Sequence, residues 1–291
     1  MQKISFKTSA GTIEIDDVNI SSLTGEKVLR LGDVDCNSAK TRIEAAQCMD
    51  MPGQKVLSST ADVKTVVAKI AFAPVYLINN RLICTGSKGM YHLRREVLRH
   101  FPLGETGTLT YTNDVDTYVI RARIDEMPVV TTADGYFCEC TVMFTCDYPY
   151  WCKDVKSEIQ TVSNGGSCIF TPPVYGDIAS PVGGIIKCNQ DLGGSSYYNI
   201  FFRLKNVDYR IKQINFCRQL KAGNSLEFNF LYNNEWTVLF NGGYETIDSI
   251  YFPEYCEPCI NYPGKSKFEF QMYCDGELEV QLIYHNLFVA V

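Results

Sequence analysis

Apolar and polar residues alternate with a period of two along much of this chain. From Cys138 to Cys146 every second residue is Cys, Val or Phe, and most of the residues between them are polar. Such alternation is typical of a β-strand with one buried face, because successive side chains point to opposite faces of a sheet. The same pattern recurs in segments 118–124, 226–230, 268–272 and 278–284. Strands with one polar face favour antiparallel sheets, so the chain is predicted to be mainly β.

Residues 87–101 depart from this period. Their apolar side chains recur at helical spacing, at Met90, Leu93, Val97, Leu98 and Phe101. This spacing places the apolar side chains on one stripe of an α-helix. Pro102 and Gly104 follow as a stop signal. The sequence therefore predicts one helix of three to four turns within a β-rich half.

Turn-forming residues are frequent between residues 164 and 194, and alternation resumes at Tyr198. Clusters of Gly, Pro, Ser and Asn mark loops between regular elements. We therefore place a boundary just after Trp151 and predict two domains, residues 1–152 and 153–291. The first is expected to be a β-sandwich or barrel-like domain that carries the helix, and the second is expected to be a β-sandwich.

The composition is that of a globular protein with reduced thiols. Hydrophobic residues make up 46% of the chain and charged residues 21%, which excludes disordered and fibrous classes. The 13 cysteines are too sparse for a disulfide scaffold, and their odd number leaves at least one free thiol. No apolar run approaches the roughly 18 residues that span a bilayer. The first twenty residues lack the apolar core of a signal peptide, so synthesis in a reducing cytosol is expected.

The net charge of −6 argues against a protein whose main task is to grip a nucleic-acid backbone. Sequence-independent binding of that kind needs clustered Lys and Arg. The charge is nevertheless compatible with lining a channel through which nucleic acid slides.

Candidate chemistry is sparse. Cys256 and Cys259 have the spacing of half a zinc site. A structural zinc site needs a second pair of ligands, and Cys274 and His285, which follow, are both single residues. Two unrelated thiols in a loop are the alternative. No phosphate-binding loop or nucleophile motif accompanies them, so we predict neither a cofactor nor an enzymatic activity.

Aromatic residues of the second half offer a possible saccharide platform, because sugar faces pack on exposed rings. Tyr232 and Trp236 are the candidates for this contact. Most aromatic residues of a β-sandwich lie in its core, which is the alternative interpretation.

The order of features along the chain resembles the siphophage distal tail protein family. The resemblance covers nearly the whole chain and is carried by short segments: Met51 to Gln54, the helical segment 89–102, the strand pair 107–111 and 118–122, the segment 144–151 with its Pro-aromatic-Trp end, and the closing segments 263–268 and 278–291.

The resemblance implies a structural role at the distal end of a phage tail, in a virion, a prophage remnant or a tail-like bacteriocin. Copies of such a protein form a hexameric ring that continues the tail tube and anchors the adsorption apparatus or baseplate. The implied partners are further copies, the major tail tube protein, a tail-associated hub or fibre protein and a receptor-binding protein. DNA passes through the ring without specific binding.

The resemblance also assigns roles to parts of this chain. Residues 33–60 are expected to be an arm, or belt, that reaches onto a neighbouring subunit. Residues 153–291 are expected to be a galectin-like or carbohydrate-module-like β-sandwich. Arg94, Arg95 and Arg99 lie off the apolar stripe of the helix and are expected to face a neighbour in the ring or solvent. The alternative function is attachment to host cell-wall saccharide through the second domain.

Overall fold

The computed structural model describes residues 2–17, 28–36, 41–47, 54–73, 75–78, 81–84, 86–133, 137–173, 175–178, 180–193, 202–206, 213–216, 220–229, 237–244, 250–251, 260–261 and 267–291. The chain divides into two compact units. The N-terminal unit comprises Met1–Cys152 with Val289–Val291, and the C-terminal unit comprises Lys153–Phe288. A membrane-crossing helix, which must be long and apolar, does not occur within the described residues.

The N-terminal unit contains one described helix and twelve strands. They are β1 (Lys3–Thr8), β2 (Gly11–Asp16), β3 (Val28–Asp35), β4 (Thr41–Gln47), β5 (Gln54–Ala61), β6 (Lys64–Ala73), β7 (Val75–Ile78), β8 (Arg81–Cys84), α1 (Gly86–Arg99), β9 (Thr106–Thr112), β10 (Thr117–Arg123), β11 (Val129–Ala133) and β12 (Phe137–Cys146).

Two runs of antiparallel strands enclose the core of the N-terminal unit. One run has the order β2-β1-β9-β10 and the other the order β3-β6-β12-β11. They meet where Arg123 of β10 pairs with Thr145 of β12. Their buried faces come together at three phenylalanines: the ring centroids of Phe6 and Phe144 are 5.0 Å apart, and that of Phe101 lies 6.2 Å from Phe6 and 6.1 Å from Phe144. The predicted mainly β fold with one helix is confirmed.

Helix α1 lies against the core with the predicted apolar stripe. Leu93 and Val97 are fully buried, and the Sδ atom of Met90 lies 3.2 Å from the Sγ atom of Cys138 on β12. The helix ends at Arg99, two residues before the predicted end. The backbone N–H groups of His100 and Phe101 donate to carbonyls three residues back, which tightens the last turn and ends the α-helical pattern.

The predicted arm needs a correction at its start. Residues 33–35 belong to β3, where Asp33 pairs with Lys69 of β6. They are therefore part of the sheet of the N-terminal unit. The chain beyond them forms the antiparallel hairpin β4–β5, a two-stranded sheet of its own, and β7 and β8 form another.

The remaining strands belong to the C-terminal unit, apart from the first two residues of β13. They are β13 (Trp151–Ser163), β14 (Ser167–Phe170), β15 (Ser180–Gly193), β16 (Phe202–Asn206), β17 (Gln213–Phe216), β18 (Ser225–Asn229), β19 (Thr237–Phe240), β20 (Gly243–Tyr244), β21 (Ile250–Tyr251), β22 (Ile260–Asn261), β23 (Phe268–Met272) and β24 (Asp275–Phe288).

Two sheets pack on one core in the C-terminal unit. One sheet has the order β24-β15-β18-β19-β20, with β22 also paired to β15, and the other has the order β14-β23-β16-β17-β21. A single hydrophobic cluster contains Phe228 and Leu282 from the first sheet and Phe170 and Phe270 from the second. Alternation along each strand buries one face of each sheet, which produces the predicted β-sandwich.

Candidate functional site

The predicted site residues divide into a described and an undescribed group. Arg94, Arg95 and Arg99 lie on α1, and all three are exposed. The saccharide candidates Tyr232 and Trp236 and the thiol pair Cys256 and Cys259 lie outside the described residues. Within the described part of the chain, no group of three or more His, Cys, Asp and Glu side chains could hold a metal ion.

The exposed side of α1 forms a shallow depression with a cationic and an apolar part. It is lined by Tyr91, Arg94, Arg95, Leu98 and Arg99, and we call it the arginine patch. These residues share one side because neighbours three and four apart lie together on a helix surface. Tyr91 is 71% exposed. Planar guanidinium groups beside apolar side chains suit a protein partner that presents carboxylates beside an apolar side chain.

Four of the described cysteines are poor sources of a reactive thiolate. All eight described cysteines are free, and seven of them are buried. Burial raises the pKa of Cys36 and Cys146 to about 12 and that of Cys140 and Cys168 to about 11. The Arg94 charge opposes this effect at Cys140 without overcoming it. A thiol with such a pKa stays protonated at neutral pH, so these side chains pack as small hydrophobic groups.

Lys64 is a buried cation that the sequence analysis did not single out. Its side chain is 1% exposed, and its Nζ atom donates to the backbone oxygen of Val289 at 2.8 Å. The Nζ atom also lies 5.5 Å from the centre of the buried Trp151 ring. Burial lowers the pKa of Lys64, while the nearby thiols of Cys36 and Cys146 act in the opposite direction. The contact ties the last residues of the chain to the N-terminal unit.

A signal for Lys64 was present in the sequence. In β6 the buried residues alternate, and Lys64 occupies the same phase as the buried Val66, Ala68 and Ile70. A lysine in phase with a buried strand face requires an internal acceptor, because an unpaired buried charge is costly. That acceptor is the backbone oxygen of Val289, which only the fold brings close to Lys64.

The hairpin β4–β5, like β7–β8, forms a two-stranded sheet of its own among the described residues. Its seven register pairs run from Thr41↔Ala61 to Gln47↔Gln54, and its two strands pair only with each other among the described residues. An isolated two-stranded hairpin is at best marginally stable in water. A further surface is therefore expected to support it.

No protein-family model matches this chain, and no curated protein matches it in sequence. Its structure is similar to that of the phage SPP1 protein Dit (gp 19.1), which is described as a paradigm of the hub adsorption apparatus in phages that infect Gram-positive bacteria. The match covers 98% of this chain and 99% of that chain, with a TM-score of 0.65 at 7% sequence identity. This chain has the Dit fold.

Two structures of the phage P2 baseplate, in its activated conformation with Ca and with Sr, also match this chain. They have TM-scores of 0.48 and 0.45 at 9% and 10% identity. The first match covers 98% of both chains, and the second covers 97% of this chain and 98% of that one. The match to SPP1 Dit confirms the resemblance to distal tail proteins at the level of the fold.

Proposed function

We propose that this protein is a distal tail protein, a structural subunit of the hub at the tip of a phage tail. The observation that carries the proposal is the match to SPP1 Dit along nearly the full length of both chains. A match of this extent includes both units, whereas sharing a common β-sandwich would cover only one of them. Fold alone does not fix function, so the surface of this chain has to support the role as well.

Two features of the N-terminal unit support assembly into a ring, which we propose to be a hexamer. The hairpin β4–β5 has no strand partner outside itself among the described residues, so a neighbouring subunit is a suitable support for it. We propose that this hairpin is the belt. The arginine patch, with Arg94, Arg95 and Arg99, provides an exposed surface for a neighbour. Rings require head-to-tail contacts between two different surfaces of one subunit.

The proposed ring continues the tail tube and lets DNA through. Its partners would be the major tail tube protein, a hub or fibre protein and a receptor-binding protein, at the distal end of the tail. A net charge of −6 per chain supports passage of DNA, because a ring of such subunits lacks the excess of cations that releases counterions from the phosphate backbone.

Electron microscopy of the purified protein tests the proposal. We expect six-fold rings with a central opening, and light scattering on the same sample should give the mass of a hexamer. A protein that stays monomeric at every concentration measured would contradict the ring.

A second candidate is binding of host cell-wall saccharide by the C-terminal unit. It is favoured by the β-sandwich itself and by exposed rings on it, with Tyr175 73% and Tyr273 43% exposed. Tyr232 and Trp236 remain the predicted contacts. Co-sedimentation with purified cell walls tests this role. Trp236→Ala should reduce the fraction of protein that sediments with the cell walls. An equal fraction for the variant and the unmodified protein would contradict the assignment of Trp236.

A further inference from the structure

We propose that the turn between β9 and β10 docks on the arginine patch of a second copy of this chain. The turn consists of Asp114, Val115 and Asp116, and we call it the acidic tip. The contact rests on the proposed function, since it names the two surfaces that join successive subunits of the ring.

The acidic tip presents an apolar side chain between two carboxylates. Val115 is 81% exposed, the highest value among the exposed large hydrophobic residues of the described chain, and Asp114 beside it is also exposed. A β-branched apolar side chain gains little from standing in water. A partner surface that covers Val115 would remove this apolar area from water.

Hydrogen bonds within the turn hold the backbone of the acidic tip in place without a partner. The Asn113 Oδ1 atom accepts from the backbone N–H groups of Val115 at 2.9 Å and Asp116 at 2.8 Å. The Asn113 N–H donates to the Asp116 oxygen at 3.0 Å, and the hydroxyl oxygens of Thr112 and Thr117 lie 3.1 Å apart at the base of the turn. A preorganised turn loses little conformational freedom on binding, which favours affinity.

The arginine patch complements this tip in both charge and apolarity. Tyr91 and Leu98 provide apolar surface for Val115, and three arginines stand beside them. Guanidinium groups bind carboxylates with paired hydrogen bonds, so Arg95 and Arg99 can engage Asp114 and Asp116. Charge pairs around an apolar contact also fix the register of an interface.

A second copy is the occupant that the chain itself supplies. The tip and the patch are different surfaces of the same N-terminal unit, so each subunit would offer one to its neighbour on one side and the other to its neighbour on the opposite side. Such a heterologous contact propagates from copy to copy and closes into a ring when the rotation allows it.

Charge exchange tests the contact. One variant carries Asp114→Lys and Asp116→Lys, and a second carries Arg95→Glu and Arg99→Glu. Each alone should lose the ring and elute as a smaller species in size-exclusion chromatography with light scattering. An equimolar mixture of the two should regain it, because each charge-exchanged surface then meets a complementary one. A chain with all four changes should also assemble.

Two further variants separate this effect from general damage. Val115→Ser removes only the apolar contact, and its side chain is too exposed to affect the core; it should weaken association at least about tenfold. Lys7→Glu with Lys69→Glu reverses two exposed charges elsewhere on the same unit and should leave the ring intact. Far-UV circular dichroism of each variant should match that of the unmodified protein.

The outcomes distinguish the contact from the proposed function. If the unmodified protein forms rings and either charge-exchange variant still does, or if the mixture stays dissociated, the ring stands and the tip does not dock on the patch. If the unmodified protein forms no ring at all, the proposed function fails together with the contact.

Discussion

At the residue scale, the fold supplies a hydrogen-bond acceptor for a lysine that it buries in the core. Lys64 is buried beside Trp151, and its amine donates to the Val289 oxygen. The contact joins residues that are 225 positions apart in the chain. Its contribution combines the burial of an aliphatic stem with one charge-assisted hydrogen bond.

We expect Lys64→Ala to lower the free energy of unfolding by about 2–3 kcal/mol, because it leaves a cavity and removes the hydrogen bond to the Val289 oxygen. Lys69→Ala, at an exposed position of the same strand, should change it by less than about 0.5 kcal/mol. Urea unfolding followed by fluorescence measures both. Equal effects of the two substitutions would show that Lys64 is not part of the core.

His285 makes the stability of the C-terminal unit depend on pH. Its side chain is 2% exposed, and burial lowers its pKa from 6.5 to about 4. The folded state holds the neutral imidazole, whereas the unfolded state binds a proton below pH 6.5. The free energy of unfolding is therefore highest above pH 6.5 and falls as the pH falls towards 4. The loss is on the order of 3 kcal/mol.

Replacement of His285 by Gln should therefore reduce the fall in unfolding free energy between pH 7 and pH 4. His92→Gln, at an exposed position of α1, should leave that fall unchanged. Urea unfolding at the two pH values provides the comparison. A fall of the same size in His285→Gln as in the unmodified protein would contradict the assignment.

At the element scale, α1 has two sides with separate tasks. Met90, Leu93 and Val97 pack on the core, while Tyr91 and the three arginines face outward. The spacing of apolar residues predicts this division except at Leu98, which the spacing assigns to the buried stripe and which lines the arginine patch. The neighbour of the outward side could not be predicted in the same way, since it depends on another surface of the folded unit.

Val97→Asp should prevent soluble assembly, because it places a carboxylate at a position with no exposed surface. His92→Asp adds the same group to the exposed side and should leave the protein soluble and assembled. Size-exclusion chromatography with light scattering measures the outcome. A normal ring from Val97→Asp would show that the stripe is not core.

The hairpin β4–β5 should be dispensable for folding and required for the ring. Strands β3 and β6 are antiparallel neighbours, with Asp35 opposite Val67, so a short Gly-Ser linker can replace residues 37–61. We expect a folded monomer with an unchanged cooperative unfolding transition. A hexamer that persists after this replacement would rule out the belt.

At the scale of the whole molecule, the net negative charge agrees with the proposed passage of DNA through a ring. A subunit with a net charge of −6 should not hold DNA at physiological salt. We expect no binding of a short duplex in fluorescence anisotropy with micromolar protein at about 0.15 M salt. Micromolar affinity would mean that cations are concentrated on the channel surface, contrary to the proposed passage of DNA.

The sequence by itself determined the local structure and the fold class. The period of two predicts one-sided strands, and the helical spacing between Met90 and Phe101 predicts a single helix, because both patterns follow from backbone geometry over a few residues. The order of these segments was also enough to recognise the likeness to distal tail proteins.

Only the tertiary structure decided which distant segments meet. Strand β1 pairs with β9, so that Ile4 lies opposite Tyr111, and Lys64 finds its acceptor near the other end of the chain. The same folding leaves β4–β5 without a further strand partner among the described residues and fixes Val115 at an exposed turn. Pairings across such separations depend on loop closure and on complementary buried faces, and no local pattern of residues encodes them.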